Sequence, residues 1–514
     1  MNGAESLVRT LLSSGIEVCF ANPGTSEMHF IAALDKVAGM RCALGLFEGV
    51  ATGAADGYYR VTGKPACTLL HLAPGLANGL SNLHNAKKAG SGIVNIVGQH
   101  ATYHLNHDAP LSGDIEGVAR PMSHWVRTSM TPSEVASDGA TAVQVARGAP
   151  GGIATLILPA DASWGAADEI ALARAPAPPQ PVSPDAVTAV AKALRAGGPT
   201  VMLLGGAALR GKALEWAGRI AAKTGCRLMC EGQNARLERG AGRVKLDRLP
   251  YDVPGAVAAL KEVGRLILVG AKMPVAFFAY PDQPSLLAPA HCEVTTLAQG
   301  EHDIEGALEQ LAHELAASAA VPVIADLHRP ALPAGRVTPE GIAAVVGALM
   351  PEHAVVVDES ISMGRGFFPV TVSSAPHDWM NSMGASLGYA LPVAIGAAMA
   401  APDRKVIAIV GDGSAMYTLQ ALWTMAREGL DITIVILANR SYNILRSELQ
   451  KIGAGAPGRT ALDMLTLDTP SLDWVALAKG HGVASSRACD LEELAKELQR
   501  GLASEGPHLI ELVV

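Results

Sequence analysis

Acidic and amide side chains at the ends of apolar runs carry the clearest chemical signal. From Lys405 to Leu445 the chain reads KVIAIVGDGSAMYTLQALWTMAREGLDITIVILANRSYNIL. A buried strand over 406–410 should end at Gly411-Asp412-Gly413-Ser414, with a helix running on to about Glu428. A second apolar strand should end at Asn439-Arg440-Ser441. As successive parallel strands, they would bring Asp412 and Asn439 to one sheet edge, within reach of one ion. Gly411 and Gly413 let the backbone approach a phosphate closely, and the N–H groups that open the next helix, from Ser414 onward, favour an anion. A hard dication such as Mg2+ takes oxygen ligands and shares diphosphate oxygens and water. The Asp412 carboxylate, the Asn439 side-chain oxygen and the Ser441 carbonyl could supply the protein's share. The stretch also fits a tight strand–helix turn in which Asp412 only caps the helix. Nucleotide fingerprints fit less well: Met416 stands where GxGxxG needs glycine, and no GK[ST] is present.

Residues so placed need parallel sheets behind them. Short aliphatic runs alternate with helical patterns along the chain, with strands expected at 66–70, 93–97, 200–204, 265–269, 355–357, 406–410 and 432–437. Pro/Ala-rich stretches at 171–185 and 328–340 read as linkers and leave domains over 1–170, 186–327 and 341–514. The expected fold is α/β, with three doubly wound parallel-sheet domains, the chemistry lying in the first and third.

Composition narrows the classes. With 49% hydrophobic and 17% charged residues, the 514-residue chain suits a packed enzyme rather than a disordered one. A net charge of −8 without Lys/Arg clusters argues against nucleic acid as a partner. Seven dispersed cysteines without CxxC spacing suggest reduced thiols and a cytoplasmic location. The N-terminus reads as an amphipathic helix rather than a signal peptide, and no apolar run reaches the roughly 18 residues of a membrane span.

GDG followed by N-x-[ST], with GDGSA and Ala421-Leu422-Trp423-Thr424, resembles the thiamine-diphosphate motif of pyruvate oxidase, acetolactate synthase and benzoylformate decarboxylase. The resemblance spans essentially the whole chain and is closest to the benzoylformate decarboxylase branch. It implies thiamine diphosphate with Mg2+, a pyrimidine-binding domain over 1–170, a central domain over 186–327 and a diphosphate- and Mg-binding domain over 341–514. It also implies a homodimer or dimer of dimers with active sites between subunits. Leu46-Phe47-Glu48-Gly49-Val50-Ala51 matches the region of the activating carboxylate, and the resemblance implies that Glu48 is the catalytic carboxylate beside the aminopyrimidine. His71, at the end of the 66–70 strand, matches a histidine held over the cofactor and can move protons near neutral pH. Asn22-Pro23-Gly24-Thr25-Ser26-Glu27 resembles a substrate-side loop, with Thr25 in place of a serine and Glu27 facing the pocket. A capped Pro-Gly turn is the plainer reading of that loop. Met383 to Pro392 resembles the segment under the bent cofactor, with Leu387 wedged between its rings and the Ala385 carbonyl taking its amino group. Glu359 matches a polar pocket position.

Two departures matter. Phe278 stands near the place where the benzoylformate decarboxylase branch has a second histidine, and the central segment lacks the arginine- and aspartate-bearing stretch used around flavin, so flavin is not expected. His100, His104 and His107 suit a loop at the substrate entrance or a subunit contact as well as a metal. The leading expectation is a decarboxylase or carboligase acting on a small 2-oxo acid. Its alternatives are an acetolactate synthase-like transferase and a non-catalytic cofactor-binding or regulatory subunit, which could dispense with the Glu48 that this chain has.

Overall fold

In the computed structural model, which describes all 514 residues, each anticipated apolar run is a strand. In the first third these are β1 (Val18–Asn22), β2 (Arg41–Leu44), β3 (Ala66–Leu70), β4 (Ile93–Gln99), β5 (Trp125–Thr128) and β6 (Ile153–Pro159). They form a parallel sheet of order β2-β1-β3-β4-β6-β5. Every residue of β3, β4 and β6 is buried, as expected of strands covered on both faces. The middle segment supplies β7 (Thr200–Leu204), β8 (Arg227–Cys230), β9 (Leu237–Arg239), β10 (Asp247–Arg248), β11 (Arg265–Val269) and β12 (Glu293–Ala298). All but β9 form a second parallel sheet, β10-β8-β7-β11-β12.

The last third holds β13 (Ala354–Glu359), β14 (His377–Asn381), β15 (Val406–Gly411), β16 (Ile432–Ala438), β17 (Ala484–Ala488) and β18 (His508–Val513). Their order is β17-β18-β16-β15-β13-β14-β9, with β9 antiparallel to β14. Thus β9 leaves its sequence neighbours and closes the edge of the third sheet, which the linker positions alone do not reveal. Residues 167–179 and 325–334 carry no regular element.

The first and third sheets share their core. The Glu48–Thr62 helix packs on the Ala390–Ala400 helix, which is buried all round up to Met399. Backbones meet there: a Cβ on Gly57 would stand 2.1 Å from the Val393 carbonyl oxygen, and one on Gly396 would stand 1.9 Å from that of Ala54. One buried cluster joins Val50, Ala54 and Leu76 to Tyr389, Leu391 and Val410. No helix is long and apolar enough to cross a membrane.

Candidate active site

At the carboxyl edge of the third sheet, β15 and β16 run side by side, with Gly411 opposite Leu437. The Asp412 carboxylate ties the two strand ends together: Oδ1 accepts the Gly413 N–H at 2.9 Å, and Oδ2 accepts the Arg440 N–H at 2.7 Å. Asn439 Oδ1 accepts the Ser441 N–H at 3.0 Å, and Arg440 takes a left-handed φ of 52° to make the turn. The single helix expected after Gly413 is broken into Asp412–Ala415 and Ala421–Arg427. Between them the Thr418 hydroxyl donates to the Gly388 carbonyl at 3.0 Å, which binds the intervening turn to a neighbouring segment.

This donor set fits a hard dication and an anion. Asp412 is 3% exposed, and burial pushes its carboxyl up, a penalty that a bound cation would offset. Gly411, Asp412, Gly413, Ser414, Asn439 and Ser441 line one cavity. A Cβ on Gly413 would strike Tyr442 at 2.6 Å, whereas one on Gly411 would meet nothing closer than 3.8 Å. The chain's own packing therefore leaves room at Gly411 that a side chain would take from a diphosphate.

Leu387, half-buried, lines both this cavity and a neighbouring cleft of about 330 Å³, which Ala385, Glu359 and Phe278 also line. Phe278 is 54% exposed and packs edge-on against Phe277 at 4.8 Å. Glu359, at the end of β13, spends both carboxylate oxygens on the Leu387 segment: Oε1 accepts the Gly388 N–H at 2.9 Å and Oε2 the Ala390 N–H at 2.8 Å. Burial is the main force raising its pKa from an ordinary 4.5 to about 7. Because the folded value lies above the unfolded one, its stability contribution is full below about pH 4.5 and is lost as pH rises through 7. Glu359→Gln removes this titration, so the stability gap between wild type and variant should shrink by about 2 kcal/mol between pH 5 and pH 8. Urea unfolding at the two pH values measures the gap; a constant gap would count against the raised value.

The N-terminal residues follow the carboxyl ends of β1, β2 and β3: Thr25 and Glu27 after β1, Glu48 after β2 and His71 after β3. Glu48 opens its helix, is 8% exposed, and accepts the Asn78 amide N–H on Oε2 at 2.9 Å. A Cβ on Gly75 would stand 3.1 Å from Glu48 Oε1 and 3.3 Å from the His71 Cβ, so this glycine lies between the two residues. His71 stands just before the Leu72–Ala89 helix, and its side chain, rather than capping the helix, meets Glu27 Oε2 through Nδ1 at 2.8 Å, which leaves Nε2 as the free ring nitrogen. The same Glu27 oxygen accepts the Gly24 N–H, while Oε1 is buried without a partner. Burial pushes the Glu27 carboxyl up, opposed by His71. Thr25 is exposed on the turn before it. The His100, His104 and His107 rings stand 5.6 and 5.5 Å apart, and no three acidic, histidine or cysteine groups are arranged to hold a metal ion.

The sequence-predicted residues thus form two clusters rather than one: Glu48, His71 and Glu27 with Thr25 beside them, and Asp412, Asn439, Ser441, Gly411, Gly413 and Ser414 with Leu387, Ala385, Glu359 and Phe278. No residue of the first sheet lines the Asp412 cavity or the Leu387 cleft. Sequence reasoning missed Asn78 and the Glu27–His71 pair. Asn78 follows Gly75 by three residues on one helix, a spacing that puts both on one face.

Comparison with known proteins gives a consistent set of relatives. Residues 1–118 match the thiamine pyrophosphate enzyme N-terminal TPP binding domain, and residues 366–512 match the C-terminal TPP binding domain. IlvX of Mycobacterium tuberculosis, whose naming as an acetolactate synthase large subunit is itself provisional, is 51% identical, covering 100% of this chain and 99% of the relative. Benzoylformate decarboxylase of Pseudomonas aeruginosa is 31% identical over 97% of this chain and 96% of its own. The structure of a thiamine diphosphate-dependent 4-hydroxybenzoylformate decarboxylase from Rhodococcus jostii superposes with a TM-score of 0.88 at 25% identity, covering 99% of this chain and 98% of that one.

Proposed function

The chain belongs to the thiamine pyrophosphate enzyme family, and from that premise we propose a 2-oxo acid decarboxylase with carboligase capacity, its active sites shared between two subunits. The juxtaposition of Glu48 and the Glu27–His71 pair around Gly75 carries the reading, because it sets a carboxylate and an oriented imidazole at one sheet edge.

In this reading, Asp412, Asn439 and the Ser441 carbonyl hold Mg2+, while Gly411, Gly413 and Ser414 receive the diphosphate. Leu387 and the Ala385 carbonyl support the rings. Bound thiamine diphosphate supplies a carbon nucleophile for the keto carbon and accommodates the electron pair left when CO2 departs. Glu48 holds a proton at Oε1, since Asn78 occupies Oε2. His71 moves a proton at Nε2, with Glu27 fixing the ring through Nδ1. Thr25 and Phe278 border the substrate. Residues 1–170, 186–327 and 341–514 serve as pyrimidine-binding, central and diphosphate-binding units in a homodimer or dimer of dimers. Buried free thiols such as Cys67 and Cys230 fit a reducing, cytoplasmic setting.

A second reading, an acetolactate synthase-like transferase, is favoured by the 51% identical relative. Pyruvate with and without an acceptor aldehyde separates them: free aldehyde and mixed 2-hydroxy ketones support the first reading, and acetolactate as the main product supports the second. Because Phe278 donates no proton, His71→Ala should slow aldehyde release roughly tenfold or more and shift product toward ligation. An unchanged rate and ratio would make His71 structural.

A further inference from the structure

Two cations line the Leu387 cleft without a carboxylate partner. Arg248 ends β10, and Arg365 lies in the turn Gly364–Gly366. Both border the cleft and an adjoining cavity of about 500 Å³. The acids around them are engaged elsewhere. Asp358 accepts from Ser360, Trp379 and Asn381, and Glu359 accepts from Gly388 and Ala390. Glu448 is held by Lys451 and Tyr280, and Asp247 by Arg227. Arg248 stacks over Phe368 at 4.9 Å, which orients its guanidinium without neutralising it.

We propose, building on the decarboxylase reading, that this cleft selects a 2-oxo acid bearing a second anionic group, carboxylate or phosphate, at its far end, and that Arg248 and Arg365 determine this specificity. A planar guanidinium offers paired N–H donors that match either group. Phe277, Phe278 and Leu445 line the same cleft and offer apolar contact to the carbon chain between the two anionic ends. The carboxylate that leaves as CO2 gains nothing from a cation, which would hold it as the anion, so the arginines serve the opposite end of the substrate.

The test compares 2-oxopentanedioate with 2-oxopentanoate, which share a carbon chain and differ in one terminal carboxylate; 2-oxo-4-phosphonobutanoate distinguishes phosphate from carboxylate. In the wild-type holoenzyme, kcat/KM should favour a dianionic substrate by roughly tenfold or more. Arg248→Gln and Arg365→Gln should each lower the ratio of dianion to monoanion kcat/KM by about tenfold. Added salt should lower that ratio in the wild type. Equal use of the acids by the wild type, or an unchanged ratio in both variants, overturns the inference while CO2 release from any of them leaves the decarboxylase reading standing. If none releases CO2, turnover does not report the charge preference. The charge preference is then decided by calorimetric binding of 2-oxopentanedioate and 2-oxopentanoate to the same three proteins, where equal affinities overturn it.

Discussion

Asp412→Ala should lose metal-dependent retention of thiamine diphosphate, whereas Glu48→Gln should keep the cofactor and lose turnover. Asp412 is the one charged group in its donor set, and its removal should weaken metal-supported affinity by about 100-fold or more. The same change strips the Gly413 and Arg440 N–H groups of their acceptor, at about 1–3 kcal/mol for each group left buried and unpaired. Asp412→Asn keeps an acceptor there and separates the loss of charge from the loss of shape. Glutamine at position 48 can still accept from Asn78 but cannot share a proton as a carboxyl does, so turnover should fall about 100-fold or more while folding is kept. Calorimetry with and without Mg2+ reads both variants. Undiminished, metal-dependent affinity in Asp412→Ala would contradict the assignment of the metal site.

The Glu48 and Asp412 clusters are separate within one chain and line no common cavity. If Glu48 from one subunit and Asp412 from its partner complete each site, a hybrid of Glu48→Gln and Asp412→Ala subunits holds one doubly damaged site and one intact site. Random exchange then leaves about a quarter of all sites intact, so mixing two inactive proteins should restore about a quarter of wild-type activity. The mixture must be shown to exchange, for example by mass measurement of differently labelled subunits. Exchange without recovered activity would mean that each site is built within one chain.

Some elements show in the amino-acid sequence and others do not, for physical reasons. Strands β15 and β16 were legible because a strand buried on both faces has to be a short, continuous apolar run, and the residues ending each run were fixed with it. Their ends at Gly411 and Ala438 lie within a residue of expectation. The break after Ala415 was not legible, since it depends on Thr418 reaching the Gly388 carbonyl, a contact between segments distant in sequence. The same holds for β9, whose three residues carry too little pattern to show that they pair with β14. The carboxylate of Glu359 is committed to the Gly388 and Ala390 N–H groups and so shapes the segment that carries Leu387, contacts between residues 29 and 31 positions apart that sequence pattern does not show. Glu27 and His71 were each singled out, yet their pairing required knowing that β1 and β3 are neighbours, with Asn22 opposite Leu70.

On the decarboxylase reading, this chain releases CO2 from a 2-oxo acid through a Glu48-dependent site. The most direct measurement is release of labelled CO2 from a panel of carboxyl-labelled 2-oxo acids, using wild type and Glu48→Gln, both loaded with thiamine diphosphate and Mg2+. Wild type should release label from at least one acid only when the cofactor is present, and Glu48→Gln should lose about 99% of that rate while holding the cofactor equally well. Equal release by the two proteins, or none by either across the panel, would contradict the account.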